Sequence, residues 1–462
     1  MGFTKGRSRV QLALVGSGKF DLDRSKHQLE DVHLRVHLSV DNLESVQAQT
    51  AFLTAVALAC RCFGCVSVDG ASGVPYRAAL PLDCSTLEEA AACVGATSSD
   101  TTPTHSILIG HGLAADIAPM AVRATWRHWI AAIAPSRETA EPCEGSFSLA
   151  AVAAAALAVG EVFQERLNNP RAGRRSQQIS LWSPGTAEPG PTSPDAVLLP
   201  RDIWLIGLGN LGQAYLWALT TLNFQNPKDV SVLLQDFDHV DDENFATSIL
   251  TGADDEGTLK NFIAEQWCLG RRFRVNRIDR ALDELTVVGP QEPRLAFSGL
   301  DKISVRKLLG GRGFQYIVDA GLGANANDFD RFRINTFDET FAPDVHFDGQ
   351  GDVDETVRAN AFVEATPAYK YAVESACSEE ACGLLAIAGK SVAVPYVSSI
   401  AACLVVAQAI RLVSGYAAYK SIVGQVRNIE GLGAHLGVRA ERLIVGATPH
   451  GSDQGEATGK RA

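Results

Sequence analysis

Residues 201–222, RDIWLIGLGNLGQAYLWALTTL, decide the fold. The apolar run at 203–206 has the length of a buried strand. Gly207, Gly209 and Gly212 follow it in G-x-G-x-x-G spacing, and the residues after them are apolar at a helical period. A glycine turn between a strand and a helix lets backbone amides approach phosphate closely, and the helix N-terminus favours the negative charge. SVLLQDFDHV, 231–240, reads as the second strand of a βαβ unit, and Asp236 at its end is placed to reach a ribose hydroxyl.

Outward from that unit the pattern continues. GTLKNFIAEQWCL (257–269) reads as a helix, and RLAFSGL (294–300) and FQYIVDAGL (314–322) read as further strands. The fold class is therefore α/β, a Rossmann-like domain with a mostly parallel sheet and helices on both faces. Upstream, VQAQTAFLTAVALACRCFG (46–64) and SFSLAAVAAAALAVGEVFQERL (146–167) read as long helices, and RVQLALVGSG (9–18), CVSVDG (65–70) and THSILIGHG (104–112) as strands. That makes a second α/β domain. Its two glycine pairs, in VGSG and IGHG, lack a third glycine, which argues against a phosphate loop there.

Between the two, SPGTAEPGPTSPDAVLLP (183–200) holds four prolines before Pro200 and no apolar period, the composition of a linker. The expected organisation is an α/β domain at 1–182, a linker at 183–200, a nucleotide-binding domain at 201–450 and a polar tail at 451–462.

Composition narrows the function classes. The 462 residues are 46% hydrophobic and 20% charged, enough apolar material for large cores. A formal charge of -12 argues against a nucleic acid partner, because phosphate-backbone binding needs a basic face. The opening MGFTKGRSRVQLALVG lacks the apolar core and cleavage site of a signal peptide. The apolar stretches near 149–159 and 397–413 are Ala-rich or carry Gln408 and Arg411, so they read as buried helices, not membrane spans. These features predict a cytoplasmic chain with no membrane partner. Ten irregularly spaced cysteines form no disulfide framework, and Cys60, Cys62 and Cys65 lack the second pair of a zinc site.

A nicotinamide enzyme would fit the glycine loop and Asp236 equally well, but the residues that follow point elsewhere. QDFDHVDDENFATS (235–248), then Lys260, then SGLDKISVR (298–306) resemble the adenylating family that includes the molybdopterin- and thiamine-pathway activators MoeB and ThiF and the ubiquitin-activating enzymes. In that family the second strand ends D-x-D, an Asn follows, an Arg lies three beyond it, a Lys thirteen beyond the Arg, and a D-N-x-x-x-R segment comes later. Here Asp236, Asp238, Asn244 and Lys260 fall at those positions, and Asp301 and Arg306 fit the later segment.

The resemblance implies a ThiF-type adenylation domain that uses ATP and Mg²⁺ to activate the C-terminal carboxylate of a small ubiquitin-like protein. It carries Asp236 to the ribose, Asn244 and Lys260 to the phosphates and Asp301 to the metal, where a hard oxygen ligand beside phosphate oxygens suits magnesium. Lys260 and the metal would neutralise the charge that develops when a carboxylate attacks the α-phosphate.

Two positions depart from the family. Thr247 stands at the place of the phosphate-contacting Arg, and Lys302 at the place of the Asn after the magnesium aspartate. Either another cation replaces the Arg, with Arg7 or Arg9 as candidates since the family can deliver one from a partner half, or the domain is catalytically weak.

Family members that transfer the carrier use a downstream cysteine. Cys382 is preferred over Cys377, because Cys382-Gly383 begins an apolar segment where a loop with an exposed turn is expected, with Lys390 as a nearby cation and Cys403 in the core of the closing helix. The residues from 392 resemble the family's closing strand and helix. By the same resemblance the N-terminal half is an inactive adenylation-like half, a conjugating enzyme is a partner, and a homo-oligomer fits, since relatives pair two identical chains. Compact activators of this kind resemble those of bacterial ubiquitin-like conjugation operons, some acting in antiphage defence. A non-catalytic scaffold on the same fold and an NAD-dependent oxidoreductase are the competing readings.

Overall fold

The computed structural model describes residues 8–99, 101–112, 116–438 and 446–449. Arg7 and the tail at 451–462 lie outside them. Along the chain the first half runs α1 (Ser8–Val15), α2 (Leu22–Glu30), β1 (His33–Leu38), α3 (Val46–Cys62), β2 (Cys65–Asp69), α4 (Leu87–Cys93), β3 (His105–Ile109), β4 (Met120–Arg127), β5 (Ile130–Pro135), α5 (Ser148–Arg166) and β6 (Gln177–Ser180). The second half runs β7 (Leu198–Pro200), β8 (Asp202–Ile206), α6 (Asn210–Thr220), β9 (Ser231–Gln235), α7 (Lys260–Gly270), β10 (Arg274–Ile278), β11 (Leu295–Ser298), α8 (Ile303–Leu308), β12 (Tyr316–Leu322) and β13 (Arg331–Phe337). It closes with α9 (Pro343–His346), α10 (Glu355–Ala365), α11 (Pro367–Ser375), α12 (Ser378–Gly389), α13 (Pro395–Val413), β14 (Ala418–Gln425), β15 (Gly433–Val438) and β16 (Ala447–Pro449).

Two sheets organise these elements, in the orders β2-β1-β3-β4-β5-β6 and β10-β9-β8-β11-β12-β13-β14-β15. Without its edge strands β10 and β15, the second sheet has the order of the first. Pairing repeats as well: β2-β1-β3-β4 and β9-β8-β11-β12 are parallel, and the two strands after each set are antiparallel. Helices α3 and α6 each follow the first strand of their sheet, and α5 and α13 each precede its last shared strand. The chain thus contains one α/β topology twice.

The repeats meet through those four helices, which is why α5 and α13 are apolar all round. Among the described residues these two are long and apolar enough to cross a membrane, yet 94% and 100% of their apolar windows are buried inside the protein. Gly160 of α5 lets Tyr396 of α13 approach, since a Cβ there would sit 3.0 Å from its ring. Trp217 of α6 donates its indole N–H to Thr54 Oγ1 of α3 at 3.0 Å, satisfying two polar groups inside the interface.

Several expectations need correction. Residues 9–18 were expected to form a strand, but 8–15 are helix α1; a short apolar run carries no period that separates the two, and Val10, Leu12, Ala13, Leu14 and Val15 are all buried. No strand forms at 391–394, which lead directly into α13 with Pro395 in its first turn. The proline-rich stretch 183–200 is pinned down: Trp129 Nε1 donates to Pro191 O at 2.9 Å, and β7 pairs with β16. Cys382 lies inside α12, not on a loop, and Gly383 continues the helix.

Candidate functional site

Why the glycines sit where they do follows from contacts. Gly207 has φ +81°, a left-handed conformation that favours glycine. A Cβ on Gly212 would lie 2.0 Å from Gly207 O, so α6 can start this close to β8 only without a side chain there. Gly209 faces open space, as a phosphate-facing position requires. Gly299, past the end of β11, completes the cradle, because a Cβ on it would meet Gly207 O at 2.7 Å. Gly299 lies outside the G-x-G-x-x-G spacing; its signal was the S-G pair directly after an apolar strand.

Asp236 is buried beneath this turn. Its Oδ2 accepts from Leu208 N at 2.5 Å and its Oδ1 from Asp238 N at 2.8 Å. The carboxylate therefore holds the glycine loop in shape and keeps a second lone pair on each oxygen for ribose hydroxyls. Burial pushes its pKa up, while the two backbone N–H groups oppose the shift. Lys260 opens α7 and places Nζ 3.1 Å from Asp238 Oδ2, with its side chain 12% exposed. Asn261 beside it donates to Asp236 O and Asp279 Oδ1, both at 2.7 Å, fixing the start of α7 against the end of β9.

Asn244 is buried in the turn that follows, where its Oδ1 accepts from Asp241 N at 3.1 Å. Thr247 is buried too, and its hydroxyl donates to Glu243 O at 3.2 Å. Downstream this segment is held from both halves. Gln213 Oε1 of α6 accepts from Leu250 N at 2.9 Å, and Arg61 of α3 donates to the carbonyls of Ser248, Ile249 and Thr251 at 3.0, 2.5 and 3.1 Å. Nothing in the spacing of the sequence marked Arg61.

Asp301 is exposed in the loop between β11 and α8. Arg306 fixes that loop by donating to Leu300 O at 2.7 Å and Ala320 O at 2.8 Å, while sitting 3.5 Å from the buried Asp319. Asp352 caps α8 through Ile303 N at 2.6 Å. Lys302, at the departure from the family, is exposed.

The other half reaches the same crevice. Arg9 of α1 feels the charges of Glu243, Asp241 and Asp301, although burial dominates and lowers its pKa. Its Nε donates to Ser391 O at 2.8 Å, and Arg358 Nη1 of α10 meets Gly389 O at 3.0 Å and Ser391 Oγ at 3.1 Å. Two guanidinium groups thus converge on the segment after α12, and Lys390 in that segment acts on Glu243. Cys377 is the N-cap residue of α12 and Cys382 its fifth residue; both are exposed, and Cys403 is buried in α13. Eight residues of chain put Lys390 roughly 12 Å from Cys382 along the helix, so it is no neighbour of that thiol.

For magnesium, no group of three or more His, Cys, Asp or Glu side chains is arranged to hold a metal among the described residues. This suits an ion that takes one or two carboxylates and completes its shell with phosphate oxygens and water, and Asp301 offers such an exposed oxygen donor.

Residues 33–181 match the family described as the BilD N-terminal domain, and residues 199–416 the BilD C-terminal domain. The bacterial E1-like protein BilD of Collimonas sp. (strain OK412) is 33% identical over 312 residues, which cover 67% of this chain and 66% of that protein, just under two thirds of its length. The chain is homologous to a bacterial E1-like protein. Among solved structures, E. coli MccB with MccA-N7isoASN matches at 17% identity and a TM-score of 0.35, covering 53% of this chain and 67% of that one. E. coli MccB with ATP matches at 17% identity and TM-score 0.35, covering 53% and 66%.

Proposed function

We propose that this protein uses ATP to adenylate the C-terminal carboxylate of a small ubiquitin-like protein and then transfers the carrier to its own cysteine for conjugation. The observation that carries the reading is the glycine turn braced by Asp236, with Lys260 at its side and Arg9 delivered from the other half, its Nε on Ser391 O at 2.8 Å and its guanidinium facing the charges of Glu243, Asp241 and Asp301. An ordinary dinucleotide site explains the first two features. It gives no reason for the third.

In this reading the amides of the glycine turn and the α6 N-terminus bind the nucleotide phosphates, and Asp236 orients the ribose. Lys260 leaves Asp238 for the α-phosphate as charge builds there, and Arg9 supplies the cation that Thr247 does not. Asp301 would hold Mg²⁺, which supplies further charge neutralisation to the phosphates when bound. Cys382 is the proposed thioester nucleophile and Cys377 the competing one. The N-terminal half serves as the inactive repeat and as a surface for a conjugating enzyme, and the setting is a conjugation operon of the kind used in antiphage defence.

A non-catalytic scaffold is the second reading, favoured by the buried Thr247. Carrier-dependent exchange of labelled pyrophosphate into ATP separates the two: the enzyme shows it, and Arg9→Ala lowers it on the order of tenfold or more. Reductant-sensitive attachment of the carrier that is lost in Cys382→Ser but kept in Cys377→Ser assigns the thiol; the reverse pattern moves it to Cys377. Absence of exchange with every candidate carrier, together with tighter binding of NAD than ATP, would sink the adenylation reading.

A further inference from the structure

Away from the nucleotide crevice, Cys84 and Cys93 place their sulfur atoms 3.4 Å apart. Cys93 is the last residue of α4 and exposed; Cys84 lies just before the same helix and is half-buried. The helix between them is firmly set: Thr86 Oγ1 accepts from Glu89 N, and Glu89 Oε2 accepts from Ser85 N and Thr86 N. The two thiols are therefore held together by the fold, and no chain movement is needed for them to meet.

We propose that Cys84 and Cys93 form an oxidation site, a dithiol that a hydroperoxide converts to a disulfide. The exposed Cys93 thiolate attacks one peroxide oxygen, giving a sulfenic acid and releasing hydroxide (alkoxide from an organic hydroperoxide). The Cys84 thiol then attacks the Cys93 sulfur; an S–S bond forms, the S–O bond breaks, and the hydroxyl leaves as water with the Cys84 proton. Two thiols are oxidised by two electrons and one peroxide is reduced. Exposure orders the roles: Cys93 is open to the peroxide and reacts first, while Cys84 is half-buried, with burial and the neighbouring sulfur pushing it up to about 11, and gives up its proton only as it attacks the Cys93 sulfur.

The site sits on the lip of a cavity of about 410 Å³ between the two halves, lined by Cys93, Cys60, Arg61, Trp217 and Ile249 among others. Gly95, two residues past Cys93, lies against Cys60, with a Cβ there only 3.1 Å from the Cys60 sulfur. Oxidation thus ties the end of α4 to residue 84 at the place where the repeats meet. The proposal stands whether or not the protein adenylates a carrier.

A single trypsin fragment, 78–123, contains Cys84 and Cys93 and no other cysteine. After brief treatment of the folded full-length protein with equimolar hydrogen peroxide, mass spectrometry without reduction should find this fragment two hydrogens lighter, before Cys377 and Cys382 react. In Cys84→Ser a sulfenic-acid trap should label Cys93, and in Cys93→Ser the fragment should stay reduced. The proposal is overturned if the fragment keeps both hydrogens while the other exposed cysteines oxidise, or if the trap labels Cys93 as fully in the wild type as in Cys84→Ser.

Discussion

The turn after β1 and the turn after β8 occupy the same place in the two sheets, and they have been built for opposite purposes. The second is Gly-Leu-Gly-Asn-Leu-Gly, 207–212; the first, 39–45, reads SVDNLES, with Asp41 and Glu44 and no glycine. Both are packed by a glycine after the third of the strands that the two sheets share: Gly299 lies on Gly207, and Gly110 lies on Asn42, whose Oδ1 a Cβ would meet at 2.4 Å. The acids at the ends of the second strands diverge too. Asp236 braces its glycine turn, whereas Asp69 turns its carboxylate to the buried His37 at 3.0 Å. The architecture alone does not make a glycine cradle; the residues of one six-residue turn do.

The largest test of that contrast is Gly212→Ala. With 2.0 Å between the new Cβ and Gly207 O, the turn must open, and ATP affinity measured by calorimetry should fall beyond detection. Gly209→Ala, facing open space, should leave the fold's melting temperature unchanged. Equal melting and equal ATP binding in both variants would break the geometric argument.

Next in size, Lys260→Ala and Asp301→Ala should each lower pyrophosphate exchange on the order of a hundredfold, corresponding to roughly 2.7–4 kcal/mol for one oriented charge-stabilising group. Asp41→Ala and Glu44→Ala in the other half should change it by less than twofold. If the N-terminal acids matter as much as Lys260, that half is no bystander.

Arg61 sharpens the comparison differently, because it belongs to one repeat and holds the other. Its removal strands the carbonyls of Ser248, Ile249 and Thr251, and Arg61→Ala should cost about 2–4 kcal/mol in denaturant unfolding. A loss under about 0.5 kcal/mol would mean that the halves are held by helix packing alone.

The smallest effect is in pH dependence, with opposite signs in the two halves. Asp236 is raised by burial, so its contribution to stability is full below its unfolded value of ~3.9 and is lost as pH rises through the raised folded value. Glu165 is held low by His105 and Arg166, so its contribution is present above ~4.3 and is lost as pH falls through the depressed value. Urea unfolding across pH 3–7 should show Asp236→Asn gaining relative to wild type toward neutral pH and Glu165→Gln losing. The same slope in both variants would contradict the assignment.

Much of the second half was legible because its chemistry is local in sequence. Gly207–Gly212, Asp236, Asp238 and Lys260 lie within one βαβα unit, and the fold brings them together. The first half was less so. β1, HLRVHL, mixes two histidines and an arginine into a buried strand, where His33 Nε2 meets Ser67 and His37 meets Asp69 and Ser106, so no apolar run announced it. β13, RFRINTF, was missed for the same reason. Arg61 and Arg358 act across long sequence separations through backbone carbonyls, and spacing carries no trace of such contacts. For Cys382, the glycine after it suggested a turn, but Ser378, Glu379 and Glu380 begin a helix that runs through both residues.

The pairing of α5 with α13 has a consequence for how the protein is made. About 230 residues separate the end of one from the start of the other, and at roughly 5–20 residues per second the ribosome needs on the order of 10–50 s to supply the second after the first has emerged. During that interval the nascent chain presents a bare Ala- and Val-rich surface around Gly160 and Phe163 whose lasting cover, Tyr396, has not been synthesised. The first repeat thus emerges with this surface uncovered, and slowing elongation between codons 166 and 395 lengthens its exposure in direct proportion.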